Sequence, residues 1–235
     1  MAQGSAQVPT QHGGDDRRIA DDYAAARAAV LADRPAEPPT LCQGTASAQT
    51  VSLGELVGAG ALTVRESPPT VADNTGGAQM LCAKDVRVGR GPSKTGDAAA
   101  PGAVVSEPGD VLVVVSGGPA VVRVSVESVL LGPGIVVLRG KPAVIDPDFL
   151  AGVLRAASDD ADGKMLDLYP VLFPRVPIAQ QRRRGAAVAE LIEFEQIWRR
   201  QRIAVEQVVR QGLAGLVSGR LDTPHGDGAA VPGRS

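Results

Sequence analysis

Only two histidines occur in the 235-residue sequence, His12 and His225, and both fall in polar, Gly-rich flanks. That position argues against Ser-His-Asp and Cys-His catalysis, which need an imidazole held in a packed site, and against His-ligated zinc. Other segments with chemical potential each fail at a named residue. Gly89-Arg90-Gly91-Pro92-Ser93-Lys94-Thr95 approaches a phosphate loop, but that pattern requires Gly directly before Lys-Ser/Thr, and Ser93 stands there. The Ala-rich segment that follows is broken by Pro101, so no helix N-terminus is expected to hold phosphates. Asp159, Asp160 and Asp162 could ligate a divalent cation, yet Met165-Leu166-Asp167 supplies no bidentate Glu. Cys42 and Cys82 are too few for a disulfide framework or a metal site. The sequence therefore predicts no catalytic residue, no metal and no cofactor.

Asp146-Pro147-Asp148-Phe149 comes near the acidic/Asn-Pro-Pro-aromatic motif of adenine-amino methyltransferases. Asp148 replaces the second Pro, and no Gly-rich cofactor loop precedes it. A helix start fits better, with Asp as N-cap and Pro in the first turn. Binding chemistry remains. Lys84, Arg87, Arg90 and Lys94 lie close together among Gly and Ser. Such side chains can contact phosphates, and Arg can read guanine bidentately in a major groove. An exposed loop without a ligand is the alternative. The net charge is −2, but residues 175–220 hold nine arginines against Glu190, Glu193, Glu195 and Glu206. Charge asymmetry of this kind bears on partners rather than on fold.

The elements that must position these residues follow from pattern. Residues 1–16 read as disordered, and 17–48 as a helix followed by a Pro-rich linker, with Ile19, Tyr23, Ala26 and Val30 on one helical face. From 49 to 177 the chain alternates short apolar runs with turn residues. Leu62–Arg65, Val111–Val115, Pro119–Val126, Val129–Leu131, Ile135–Arg139 and Val171–Val176 are strand candidates, and Gly89–Ala100 is a loop. Their spacing predicts a small curled sheet or barrel-like domain. Asp148 to about Ala157 is a helix, followed by an acidic loop with Lys164. Residues 178–219 contain no proline and carry a heptad-like series, Leu191, Phe194, Trp198, Gln201, Val205, Val208 and Gly212. Of these, Leu191, Phe194, Trp198, Val205 and Val208 form a seam that must be buried against another helix. Residues 220–235 read as a disordered tail. The class is α+β, a small β-rich domain followed by a long coiled-coil-like helix. The start of the sequence has no secretory pattern and no run of 18 apolar residues follows, so a cytoplasmic protein without membrane spans is expected.

Taken in order, LGELV at 53–57, KDVRVGR at 84–90, EPGDVLV at 107–113, LLGPGIVVLR at 130–139, IDPDFLAGVLR at 145–155 and FPRVPIAQQRR at 173–183 form a pattern. It resembles the target-recognition domain and helix of type I restriction–modification specificity subunits, and the C-terminal specificity region of actinobacterial N-6 adenine DNA methylases. Pro177, Gln181 and Arg182 match the family's start of the long helix, and Asp110 its Gly-Asp strand start. The resemblance implies a non-catalytic module that binds double-stranded DNA and an adenine-N6 methyltransferase subunit or domain. DNA would be met by Lys84, Arg87, Arg90, Lys94 and Lys164, and a homodimer could form through the long helix. Such subunits usually carry two recognition domains and two helices, against one of each here. A C-terminal fragment of an N-6 DNA methylase lacking its catalytic domain is a second expectation. A protein-interaction module that binds no DNA is a third.

Overall fold

The computed structural model describes residues 12–32, 37–44, 49–72 and 77–223. The expectations for 1–11 and 224–235, including His225, lie outside the described residues. The chain divides into two compact units, Pro38–Glu193 and a second made of Met1–Glu37 with Phe194–Ser235. The elements run α1 (His12–Ala32), β1 (Thr50–Ser52), α2 (Leu53–Gly58), β2 (Leu62–Glu66), β3 (Ala78–Leu81), α3 (Ala83–Val88), β4 (Lys94–Gly96), β5 (Val111–Val114), β6 (Val121–Val124), β7 (Leu130–Leu131), β8 (Val136–Gly140), α4 (Pro147–Asp160), β9 (Leu172–Pro174) and α5 (Ile178–Val217).

In the Pro38–Glu193 unit, an antiparallel four-stranded sheet in the order β2-β8-β5-β6 forms the centre. Its middle strand β5, Val-Leu-Val-Val, is buried at every residue. Alternation sends Val111 and Val113 toward Phe149, Leu150 and Leu154 of α4. Leu112 and Val114 point to the other face, with Val86 of α3, Leu131 and Ile135. A strand covered on both faces loses the polar alternation of a half-exposed strand and reads as a continuous apolar run. Two smaller sheets flank it. One is β1-β9; the other, β4-β3-β7, pairs β3 with β7 in parallel. The expected α+β class, a small β-rich domain followed by a long helix, holds, with the strands divided among three sheets and helices on both faces of the largest.

Several local features explain themselves. Ser52 and Glu55 form a capping box that starts α2, satisfying otherwise orphaned helix N–H groups. Asp146 caps α4 by accepting the Phe149 N–H at 2.9 Å, and Pro147 follows in the first turn. Phe149 meets Phe173 edge to face at 5.4 Å, a geometry favoured by the ring quadrupoles. Strand β4 lies inside the segment expected to be a loop. It is three residues long and ends at Gly96, where a Cβ would meet the Val71 carbonyl and, at 2.8 Å, the Met80 sulfur. A strand so short, ending on a glycine that permits close approach, shows no period of two.

Helix α5 joins the domain through Gln181, which is 3% exposed. Its Oε1 accepts the Asp146 N–H at 3.0 Å, and its Nε2 donates to the carbonyls of Val144 and Val176. Close approach of α4 and α5 needs glycine on both sides. A Cβ at Gly152 would lie 2.7 Å from the Val188 side chain, and one at Gly185 would strike the Asp146 carboxylate and the Phe149 nitrogen.

In the second unit, α1 begins at His12, earlier than the pattern predicted, and lies along the later part of α5. Val30 borders the same cavity as Trp198 and Val205. Ile19 and Asp22 border another with Gln211, Gly215 and Ser218. Low numbers on α1 therefore meet high numbers on α5, so the two run antiparallel. Tyr23 packs where the heptad series reaches Gly212, whose missing Cβ would sit 3.1 Å from the ring. That glycine, an imperfection in the heptads, is the seat for an aromatic ring. No described helix is long and apolar enough to cross a membrane.

Candidate nucleic-acid interface

The chemistry of the α3 region is organised by one acid. Asp85 is fully buried. It accepts the Cys82 N–H at 2.9 Å, Arg90 Nε at 2.6 Å and the Ser93 hydroxyl at 2.8 Å. Burial pushes its carboxyl up, but these donors outweigh burial and hold it down at about 2. The loop that follows α3 is thereby fixed at both Arg90 and Ser93. Gly89 turns the chain out of the helix with φ of 69°, a value that glycine adopts without steric cost. The Gly-Arg-Gly-Pro-Ser-Lys-Thr segment is thus a carboxylate-anchored turn, not a phosphate loop.

Two further arginines join it. Arg87 donates to the carbonyls of Ser116 and, at 3.0 Å, Pro119, so it clamps the β5–β6 turn with its glycines Gly117 and Gly118. Arg123, on the edge strand β6, donates to the Arg90 carbonyl at 2.7 Å. Lys84 and Lys94 are exposed. The Cys82 thiol is raised by burial and by Asp85, while the charges of Lys94 and Arg90 act on it in the opposite sense; Lys94 follows Ser93, which Asp85 holds. Hence α3, its following loop and β6 bring Arg87, Arg90 and Arg123 together with Lys94 nearby. The acid in their midst is buried and already neutralised. Each guanidinium carries five N–H donors, so those bound to one or two protein oxygens keep donors for a ligand.

Lys164 does not belong to this cluster. It is exposed in the turn after α4, and α4 covers the sheet face opposite α3. The last turn of α4 itself meets the β5–β6 hairpin, where the Ser158 hydroxyl donates to the Ala120 carbonyl at 3.1 Å. The candidate helix-pairing residues divide between the two units. Leu191 is in the first; Phe194, Trp198, Val205 and Val208 are in the second. Phe194 meets Trp198 edge to face at 6.2 Å. Trp198 remains 45% exposed and Val205 46%, so α1 covers the seam only in part.

Sequence reasoning missed Arg123, since one polar residue in Val-Val-Arg-Val reads as an ordinary outward position. It also missed the partner of Asp110. Arg139 donates to that carboxylate through Nε at 2.8 Å and Nη2 at 2.7 Å, and to Glu107 through Nη1 at 2.7 Å. The Gly-Asp strand start and the Leu-Arg end of β8 are two halves of one ion pair, a structural role.

No family model matches the sequence, and no curated protein matches it. Solved structures do. A chain described as the HsdS subunit from Thermoanaerobacter tengcongensis is 22% identical, with a TM-score of 0.48 over 88% of this chain and 53% of that one. The S subunit of a type I restriction–modification system from M. genitalium is 12% identical, with a TM-score of 0.45 over 84% of this chain and 53% of that one. A chain from a study of complex assembly and conformational transition of the type I restriction–modification system is 20% identical. Its TM-score is 0.50 over 87% of this chain and 53% of that one. The present chain spans about half the length of these proteins. Its fold, a β-rich domain continued by a long helix, is shared over that half with the chain from the type I restriction–modification system.

Proposed function

We propose that this chain is a sequence-specific DNA recognition module of a type I-like restriction–modification or N-6 adenine methylation system. It binds duplex DNA and leaves methyl transfer, with its cofactor, to an adenine-N6 methyltransferase partner. The observation that carries this reading is the cation cluster of α3, its loop and β6, fixed around a buried Asp85. Anchored side chains lose little freedom on binding, which favours a defined read-out geometry. The fold shared with a chain of the type I restriction–modification system supports the same role.

Pairing through α5 is part of the proposal. Val209 and Leu213 are more than half exposed, on the same side of α5 as Trp198 and Val205. A second copy bound about a two-fold axis would cover this face and present two recognition domains to a two-part site.

The test is binding to random and selected duplexes across a salt series, then co-purification with a neighbouring methyltransferase and mapping of methylated adenines. Phosphate contacts make affinity fall linearly with salt on logarithmic axes. Absence of binding at low salt, with and without the methyltransferase, would rule out the reading role and favour a protein-interaction module.

A further inference from the structure

The six-residue helix α3 has two sides of opposite character. Asp85 and Val86 are buried, and Ala83 packs against the same core as Val86. Lys84 and Val88 lie four residues apart on the opposite side, so they share one face. Lys84 is exposed, and Val88 is 55% exposed. A β-branched residue is a poorer helix former than Lys, Gln or Glu, and half in water it buries little. Neither helix propensity nor core packing accounts for valine at this position.

Cations surround it. Lys84 shares its face. Arg87 precedes it, bound to the β5–β6 turn. Arg90 follows across the left-handed Gly89, with half of its side chain exposed, and Arg123 from β6 donates to the Arg90 carbonyl. Asp85 is the one carboxylate among residues 84–94. It faces the interior, spent on Arg90 and Ser93. An apolar group ringed by cations matches a duplex groove, where phosphates border a floor of base edges. In an unmodified duplex, the apolar group on the major-groove floor is the thymine C5-methyl. A helix is about 10–12 Å across with its side chains, and the major groove is about 12 Å wide.

We propose that Val88 is a specificity-determining residue that reads the C5-methyl of a thymine in the major groove, while the surrounding cations meet the flanking phosphates. The proposal rests on the DNA-reading role above and deepens it by naming one base.

The full chain is used to select tight-binding duplexes from a random-sequence pool. Each selected duplex is then remade with uracil in place of one thymine at a time. Uracil pairs as thymine does and lacks only the methyl. At one such position wild type is expected to lose about fourfold in affinity, the worth of one methyl group leaving contact. Val88→Ser should bind the thymine and uracil duplexes alike. It should keep the logarithmic salt slope of wild type, because it removes no phosphate contact. Val88→Thr keeps a methyl on the same branched frame and should retain the thymine preference. The uracil series on wild type decides the contact even if the serine variant fails to fold. Selected duplexes that lose nothing on any uracil replacement overturn the Val88 contact and leave the reading role standing. So does a thymine preference that persists in Val88→Ser. Wild type that selects no sequence, or binds no duplex, removes the reading role and this contact together.

Discussion

Arg139 holds Asp110 by two parallel hydrogen bonds, 2.8 and 2.7 Å long, across the strands β8 and β5. Asp110 is 2% exposed, so its carboxylate has few other donors beyond the Glu107 N–H at 2.8 Å. Removing the arginine leaves a buried charge poorly compensated. Arg139→Met is expected to cost about 2–3 kcal/mol in denaturant melts, mostly as the penalty on Asp110. Asp110→Asn/Arg139→Met should cost clearly less than the sum of the single changes, as expected for direct partners. Strict additivity would show that the pair is not coupled.

Asp85 gives the fold a defined acid sensitivity. Its carboxyl is held at about 2, against an ordinary 3.8. Because the folded value is the lower one, the stabilisation is complete above the ordinary carboxylate range. It is lost as pH falls from about 5 toward 2, and amounts to about 2 kcal/mol. The stability gap between wild type and Asp85→Asn should therefore be widest near neutral pH and close as pH approaches 2. A gap that does not change with pH would mean that the Cys82, Arg90 and Ser93 donors do not govern this group.

The same acid separates two kinds of cation. Arg87 and Arg90 hold the β5–β6 turn and the loop after α3, whereas Lys84 and Lys94 stand outside those bonds. Lys84→Ala/Lys94→Ala is expected to weaken duplex binding and leave the melting temperature within about 1 °C, as for surface changes remote from anchoring contacts. Arg90→Ala should lower both, since it exposes the Asp85 anchor. Unchanged DNA affinity in the lysine pair would take those two residues out of the interface.

How far the sequence revealed all this depends on distance along the chain. The run at β5, the Asp146 cap and the length of α5 were legible because each is decided by neighbouring residues. The parallel pairing of β3 with β7, with Met80 opposite Leu130, was not, because it joins segments remote in sequence through only two registered pairs. The basic cluster was half legible. Spacing brought Lys84, Arg87, Arg90 and Lys94 together, but Arg123 arrives from β6. Gly212 interrupts the heptad series, and Gly185 carries no signal in the sequence. Each is a contact point whose partner, Asp146 or Tyr23, lies far away along the chain.

Gly185 permits a direct test of that last point. In an unconstrained helix, replacing glycine by alanine stabilises by about 1 kcal/mol. Here the new Cβ would strike the Asp146 carboxylate that caps α4 and lie 2.9 Å from the Phe149 nitrogen. Gly185→Ala is therefore expected to destabilise the domain despite better helix propensity, and to do so far less when combined with Asp146→Gly. Thermal melts that rise with Gly185→Ala would contradict the close crossing of α4 and α5.

Trp198 is the one tryptophan of the chain, so its fluorescence reports the α5 seam without interference. At 45% exposure, its truncation should cost a single chain about 1–2 kcal/mol, less than the 3–5 kcal/mol of a fully buried ring. Pairing of two chains through α5 would remove the remaining exposure. Emission is then expected to move to shorter wavelength as protein concentration rises, in step with a doubling of mass in sedimentation. Trp198→Ala should shift that association to higher concentration, and Val205→Ala should act in the same direction more weakly. Emission that stays constant while the mass doubles would place the pairing surface elsewhere than on this face of α5.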